Sequence, residues 1–223
     1  MSILALDLGG TKLASAVLSE DGVILTEERT PLGKRKGCEV GLLVALQVEG
    51  LLASQKEKSN EISSIGISVP GICYQKNGTV WAPNIPGWEK YPLAEEIKQV
   101  AGDIPVIIDS DRACSIVGEV WKGSAKGCCD AIFVAVGTGI GAGILVNGKV
   151  LRGANDIAGS IGWMALERPF QLHYVECGCF ESRASGDGIA KLAREILMHT
   201  IDYHGLLKNK SPDHITAYDI FQA

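Results

Sequence analysis

Hydrophobic and polar positions alternate in short runs at the start of the chain. Residues 3–7, 13–18 and 23–28 each predict a strand, with Asp21-Gly22 as the hairpin turn between the last two. Residues 40–53 then carry Leu42, Leu43, Leu46, Val48, Leu51 and Leu52 at helical spacing. Residues 62–69 predict a buried strand closed by Pro70-Gly71, residues 93–101 a helix ending near Gly102, and residues 105–109 another strand. The second half predicts a helix over 111–121, strands over 131–136 and 143–146, and a hairpin at Asn147-Gly148. A helix over 185–199 follows, with Ile189, Leu192, Ile196 and Leu197 on one side and Ser185 or Asp187 as its cap. A last helix over 214–223 has no closing cap residue. The order βββαβαβ, then αββα, predicts two α/β lobes, 1–110 and 111–223, without a low-complexity linker.

Two interruptions of this pattern carry the chemistry. In "LALDLGGTKLASAVL" an apolar strand contains Asp7 and then breaks at Gly9-Gly10. A core strand gains nothing from an unpaired charge, and paired glycines favour a tight turn. The second interruption is "VAVGTGIGAGIL", with Gly137, Thr138, Gly139 and Gly141. Clustered backbone N–H groups at such bends bind anions. Neither stretch is a Walker loop, and a strand rather than a helix follows each, so neither is a Rossmann fingerprint. Taken singly, each reads as a tight turn. A Gly-Thr hairpin early in each lobe predicts a nucleotide whose phosphates are held from two sides. The holding residues would be Gly9, Gly10, Thr11 and Lys12 in one lobe and Gly137, Thr138 and Gly139 in the other, with Asp7 orienting Mg²⁺.

Composition narrows the partners. The 223 residues are 46% hydrophobic and 21% charged, which is ordinary for a globular chain. The net charge is −5 with both signs interspersed, so no basic stripe points to nucleic acid. No stretch approaches the roughly 20 apolar residues of a membrane span, and no basic segment precedes Asp7 as in a secretory leader. Seven cysteines without framework spacing predict a reducing, cytoplasmic setting. Cys128-Cys129 reads as the lead-in to a strand.

Four stretches taken together, "LDLGGTKLASAV", "ISVPGICYQKNGTVWAPNIPGW", "GTGIGAGILVNGKVLRGANDIAG" and "CGCFESRASG", resemble the ROK family of sugar kinases and sugar-responsive repressors. The resemblance implies the two-lobed actin-like, hexokinase-like ATPase fold, an α/β architecture whose second lobe is incomplete here, the chain being shorter at its C-terminus than the family. It implies ATP and Mg²⁺ as cofactors, a small-molecule sugar as partner, and a homodimer. Pro70-Gly71 matches the turn near the sugar, so Gly71 is a substrate-binding candidate, and Asn84 of "NIPGW" is another. Asp111 falls on the general base of an Asn-Asp pair that reads Ser110-Asp111 here. A carboxylate there accepts the hydroxyl proton during phosphoryl transfer; a helix cap is the compatible alternative. The family's Gly-Glu-Ile-Gly-His reads Gly159-Ser160-Ile161-Gly162-Trp163, which replaces two polar sugar contacts by a hydroxyl and an indole. Glu181 matches a retained sugar-binding carboxylate, or else serves as a first-turn acid. Only Cys179 keeps the register of the family's zinc cysteines, with His173 and Cys177 nearby, so no zinc is expected.

These residues predict an ATP-dependent sugar kinase with a pocket unlike that for glucose. A non-catalytic sugar sensor of the same fold is the alternative, and an inactive piece is the third reading.

Overall fold

The alternation near the N-terminus becomes strands because one set of side chains can be buried by a single sheet face. In β1 (Ser2–Leu8), Leu4, Leu6 and Leu8 are buried and the intervening residues are half-buried or exposed. The structure, a computed structural model, describes residues 1–200 and 202–223. β1 pairs antiparallel with β2 (Lys12–Ser19) and parallel with β4 (Ile62–Val69). With β3 (Ile24–Pro31) and β7 (Val106–Ser110) the order is β3-β2-β1-β4-β7. β5 (Ile72–Tyr74) and β6 (Thr79–Trp81) form a separate antiparallel ribbon that the sequence pattern does not reveal.

Contacts divide the chain into two compact units, Met1–Cys114 with Gly153–Asp156, and Ser115–Arg152 with Ile157–Ala223. The first unit holds the large core. Val40, Val44 and Val48 of α1 (Cys38–Glu57), Ile97 of α2 (Leu93–Ala101), Ile65 and Ile67 of β4 and Trp88 are all but fully buried there. The helix predicted over 40–53 exists, and of its named apolar positions Val48 is buried and Leu43, Leu51 and Leu52 pack against the core, while two leucines do not. Leu42 and Leu46 are 58% and 54% exposed. Apolar residues occupy nearly every position from Val40 to Leu46, so spacing alone leaves the inward face ambiguous. Gly41 lies on the inward side, where it permits close approach of Tyr91 and of Glu96 from α2. By length and composition α1 could cross a membrane; its valines are instead seated in the core.

In the second unit β8 (Ala131–Val136), β9 (Ile140–Val146) and β10 (Lys149–Val150) form an antiparallel sheet in the order β10-β9-β8. β9 begins at Ile140, three residues before the predicted start. Gly141 and Gly143 blur the apolar alternation, but pairing with Ala135 and Phe133 of β8 carries the strand through them. A short 3-10 turn (Ile161–Trp163), α4 (Tyr174–Cys177), α5 (Cys179–Ala184) and α6 (Gly186–His199) follow. Ser185 caps α6, its Oγ accepting the Gly188 N–H at 3.1 Å. The last helix is α7 (Ala217–Gln222), which starts later than predicted. Residues Pro212–His214 form a 3-10 turn, and Thr216 with Asp219 makes a reciprocal capping box that sets the helix start.

Candidate active site

In the first unit the turn between β1 and β2 is closed by the Gly9 N–H donating to the Lys12 carbonyl at 2.9 Å. The end of β3 adds a second tie, Leu32 N–H to the Thr11 carbonyl at 2.9 Å. Among the described residues no protein acceptor takes the N–H of Gly10 or Thr11, or the Thr11 hydroxyl, and both residues are exposed with Lys12. Asp7 lies inside β1 rather than at the bend. It is exposed, and parallel pairing sets it beside Ser68, whose hydroxyl donates to Asp7 Oδ1 at 2.8 Å. That leaves the carboxylate's other oxygen for a ligand, which suits Mg²⁺, a cation that takes one or two carboxylates and fills its shell with water and phosphate oxygens.

Asn84 lies against the same turn: a Cβ built on Gly10 would come within 3.2 Å of Asn84 Cβ. The apolar part of "NIPGW" explains how Asn84 is held. Ile85 and Trp88 are buried, Trp88 stacks on Tyr91 with ring centroids 4.3 Å apart, and its indole N–H donates to the Gly37 carbonyl at 2.9 Å. Asn84 itself stays exposed. Its loop is therefore fixed by core packing while its amide remains available.

The end of β7 and the start of α3 (Asp111–Lys122) bring together Asp109, Ser110, Asp111 and Arg112. Ser110 Oγ accepts the Ala113 N–H at 3.3 Å, so this hydroxyl caps the helix. Its proton remains free to donate. Asp111 Oδ1 accepts the Arg112 N–H at 2.8 Å. The Asp111 carboxylate is accessible at its surface, yet protein crowds it enough that desolvation raises its carboxyl above the ordinary value. The Arg112 N–H and guanidinium act the other way, and the charge of Asp7 adds to the rise. Arg112 also donates from Nη2 to the Gly71 carbonyl at 3.0 Å. Gly71 adopts φ 109°, a conformation open to glycine, and a Cβ there would collide with the Trp81 carbonyl. The guanidinium thus ties the Pro70-Gly71 corner to the helix that carries Asp111.

Sequence reasoning missed Ser68, Arg112 and Cys114. Burial first, then the nearby charge of Asp109, pushes the Cys114 thiol up to about 11, with the neighbouring Ser68 hydroxyl acting the other way. Arg112 could have been found as the residue following the candidate base. Ser68 could not, because only the β1–β4 register makes it a neighbour of Asp7.

In the second unit the turn between β8 and β9 has its Gly137 N–H bonded to the Gly139 carbonyl at 2.9 Å. Among the described residues the N–H groups of Thr138 and Gly139 and the Thr138 hydroxyl have no protein partner, and all three turn residues are exposed. Glu181 on α5 is half-buried, and its Oε2 accepts the Ile140 N–H at 2.6 Å. Ser160 is half-buried just before the 3-10 turn, and Trp163 within it is 53% exposed. Gly162 between them packs against the Glu181 carboxylate. Cys179 is buried and its sulfur accepts the Leu166 N–H at 3.4 Å. Among the described residues no group of three or more His, Cys, Asp and Glu side chains is arranged to hold a metal ion.

Each unit therefore presents a glycine turn with unclaimed donors, and the first adds a carboxylate of raised affinity for a proton at a strand end. The model of the ROK family matches residues 3–223. The chain is 32% identical to a glucokinase of Halalkalibacterium halodurans, covering 99% of this chain and 67% of that protein. It is 31% identical to a xylose repressor of Caldicellulosiruptor bescii, covering 100% of this chain and 56% of that one. The solved structure of a ROK family glucokinase from Streptomyces griseus, in complex with glucose and AMPPNP, superimposes with a TM-score of 0.71 at 28% identity, over 100% of this chain and 70% of that chain. The fold is the α/β fold of those kinases. Against H. halodurans the chain spans about two thirds of the relative's length. By the extent of the family match and by these identities, the chain belongs to the ROK family.

Proposed function

We propose that this protein is an ATP-dependent sugar kinase that transfers a phosphoryl group to a sugar hydroxyl. The observation that carries the reading is Asp111: an accessible carboxylate at the end of β7, raised in pKa by burial, in an electrostatic neighbourhood shared with Asp7. A sugar hydroxyl is a poor nucleophile, and a base of raised proton affinity at hydrogen-bond distance takes its proton as the phosphoryl group departs. The donors left free at Gly10, Thr11, Thr138 and Gly139 would cradle phosphate oxygens, with Gly9, Lys12 and Gly137 completing the two turns. ATP supplies the transferred group when bound, and Asp7 would hold its Mg²⁺.

Gly71, Asn84, Ser110, Ser160, Trp163 and Glu181 would shape the sugar pocket. Ser110 offers the sugar its hydroxyl proton and one further lone pair, the other already serving the Ala113 N–H. Trp163 offers an exposed ring for the apolar face of a sugar and a single N–H. Such a set has fewer charged acceptors than a glucose pocket built on Glu and His, so the preferred sugar differs from glucose.

The test is ADP release measured over a panel of hexoses, amino sugars and N-acetyl sugars. One sugar is expected to give ADP release well above the water background. Asp111→Asn should abolish it while sugar affinity stays within severalfold; unchanged turnover would remove Asp111 from the role of base. The C. bescii repressor, at nearly the same identity as the glucokinase, favours a second reading as a sugar sensor. A sugar that binds without supporting any ADP release would establish that reading instead.

A further inference from the structure

Glu181 is used twice over. Its Oε2 accepts the Ile140 N–H at 2.6 Å, and Ile140 is the first residue after the Gly137–Gly139 turn. A Cβ on Gly139 would come within 2.9 Å of that oxygen, and one on Gly162 within 2.7 Å, so glycine at both positions leaves the space the carboxylate occupies. The other end of the turn is held from the same corner of the chain: the Gly186 N–H, at the start of α6, donates to the Gly137 carbonyl at 2.8 Å. The turn is thus pinned before and after Thr138 and Gly139, whose own N–H groups remain free among the described residues. β8–β9 pairing and the Gly137–Gly139 bond close the turn as a hairpin, and the carboxylate adds a hold on the backbone where it enters β9.

We infer that Glu181 is a positioning residue for the phosphate-binding turn, in addition to any contact its second oxygen makes with a sugar. The inference rests on the kinase reading in treating that turn as a phosphate site. A short hydrogen bond from N–H to an ionised carboxylate is among the stronger protein hydrogen bonds, and it holds the Thr138 and Gly139 donors in one arrangement before any ligand arrives. Among the described residues Oε1 makes no protein hydrogen bond and is left to accept a hydroxyl. One carboxylate that grips the turn with one oxygen and a sugar with the other links the two affinities, and such linkage is reciprocal.

The experiment measures two things on the wild type, Glu181→Ala and Glu181→Gln: hydrogen exchange at the Ile140 amide, and ADP affinity by calorimetry with no sugar present. For Glu181→Ala we expect protection at Ile140 to fall and ADP to bind about tenfold or more weakly, as loss of a charge-assisted bond implies. Glu181→Gln, which keeps an acceptor oxygen, should restore part of both. Gly139→Ala provides a second route if Glu181→Ala fails to fold, because its Cβ would meet only the Glu181 carboxylate, displacing it without removing it, and should lower Ile140 protection in the same direction. Unchanged Ile140 protection in Glu181→Ala overturns the inference, and so does unchanged ADP affinity in that variant. A wild type that binds no ADP overturns the kinase reading instead, and Ile140 exchange then decides the anchor by itself.

Discussion

The two glycine turns do similar work in sequence and are held in dissimilar ways. The turn after β1 is closed by backbone bonds alone, Gly9 to Lys12 and Leu32 to Thr11, and flanked by Asn84 on a loop nailed down by Trp88. The turn after β8 has its own backbone bond, Gly137 to Gly139, and is held besides by a side chain forty-one residues from Ile140, Glu181, and by the first N–H of α6. The first is a property of its sheet and of a deep core. The second is a property of tertiary contacts that a point substitution can remove. Comparable donor geometry can be reached either way, but the two should fail differently.

The comparison breaks most severely at Trp88. Trp88→Ala removes a fully buried ring from the first unit and should cost about 3–5 kcal/mol of stability, read as a lowered midpoint in denaturant; a loss under about 1 kcal/mol would show that the core does not support the first turn as described. Next in size is the contrast between Gly139→Ala and Gly10→Ala. The first drives a Cβ against a hydrogen-bonded carboxylate and the second only against the Asn84 side chain. Gly139→Ala should weaken ADP binding several times more than Gly10→Ala, and equal losses would erase the distinction between the turns.

Smaller effects sharpen the first unit. As the proposed base, Asp111 would have to be ionised to accept a proton, and its raised pKa should set the acid limb of the rate profile above the ordinary aspartate value of about 3.9. Arg112 lowers that pKa, so Arg112→Gln should move the acid limb to higher pH, whereas Asp7→Asn, by removing a neighbouring negative charge, should move it to lower pH. A limb that does not move in Arg112→Gln would separate the guanidinium from the base. The mildest expectation concerns thiols. With its thiol pushed up to about 11, Cys114 should alkylate far more slowly at neutral pH than the exposed Cys128 and Cys129, which peptide mapping after iodoacetamide treatment can check.

Most strands and the main helices were legible in the sequence because their signals are local: alternation in β1 and β2, Pro70-Gly71 after β4, Gly102 after α2, Ser185 before α6. The β5–β6 ribbon was not legible, since three-residue strands carry too little pattern. The α7 boundary was missed because Thr216 with Asp219 competes with the apolar run as the signal for a helix start. Candidate site residues are legible where a motif names them, and their neighbours are not legible where a register or a fold-back supplies them. Ser68 reaches Asp7 only through β1–β4 pairing, and Arg112 reaches the Gly71 carbonyl only because β4 and β7 are adjacent.

The sequence by itself determined the two glycine turns, the acid at the end of β7 and the family to which they belong, because turn chemistry and motif order are written residue by residue. The tertiary structure alone decided that Leu42 and Leu46 of α1 stay exposed, that the Ser110 hydroxyl caps a helix, and that Glu181 grips the backbone beside the second turn. Those outcomes depend on distances between residues far apart in the chain, and such distances exist only once packing has chosen one arrangement among the many that local preferences allow.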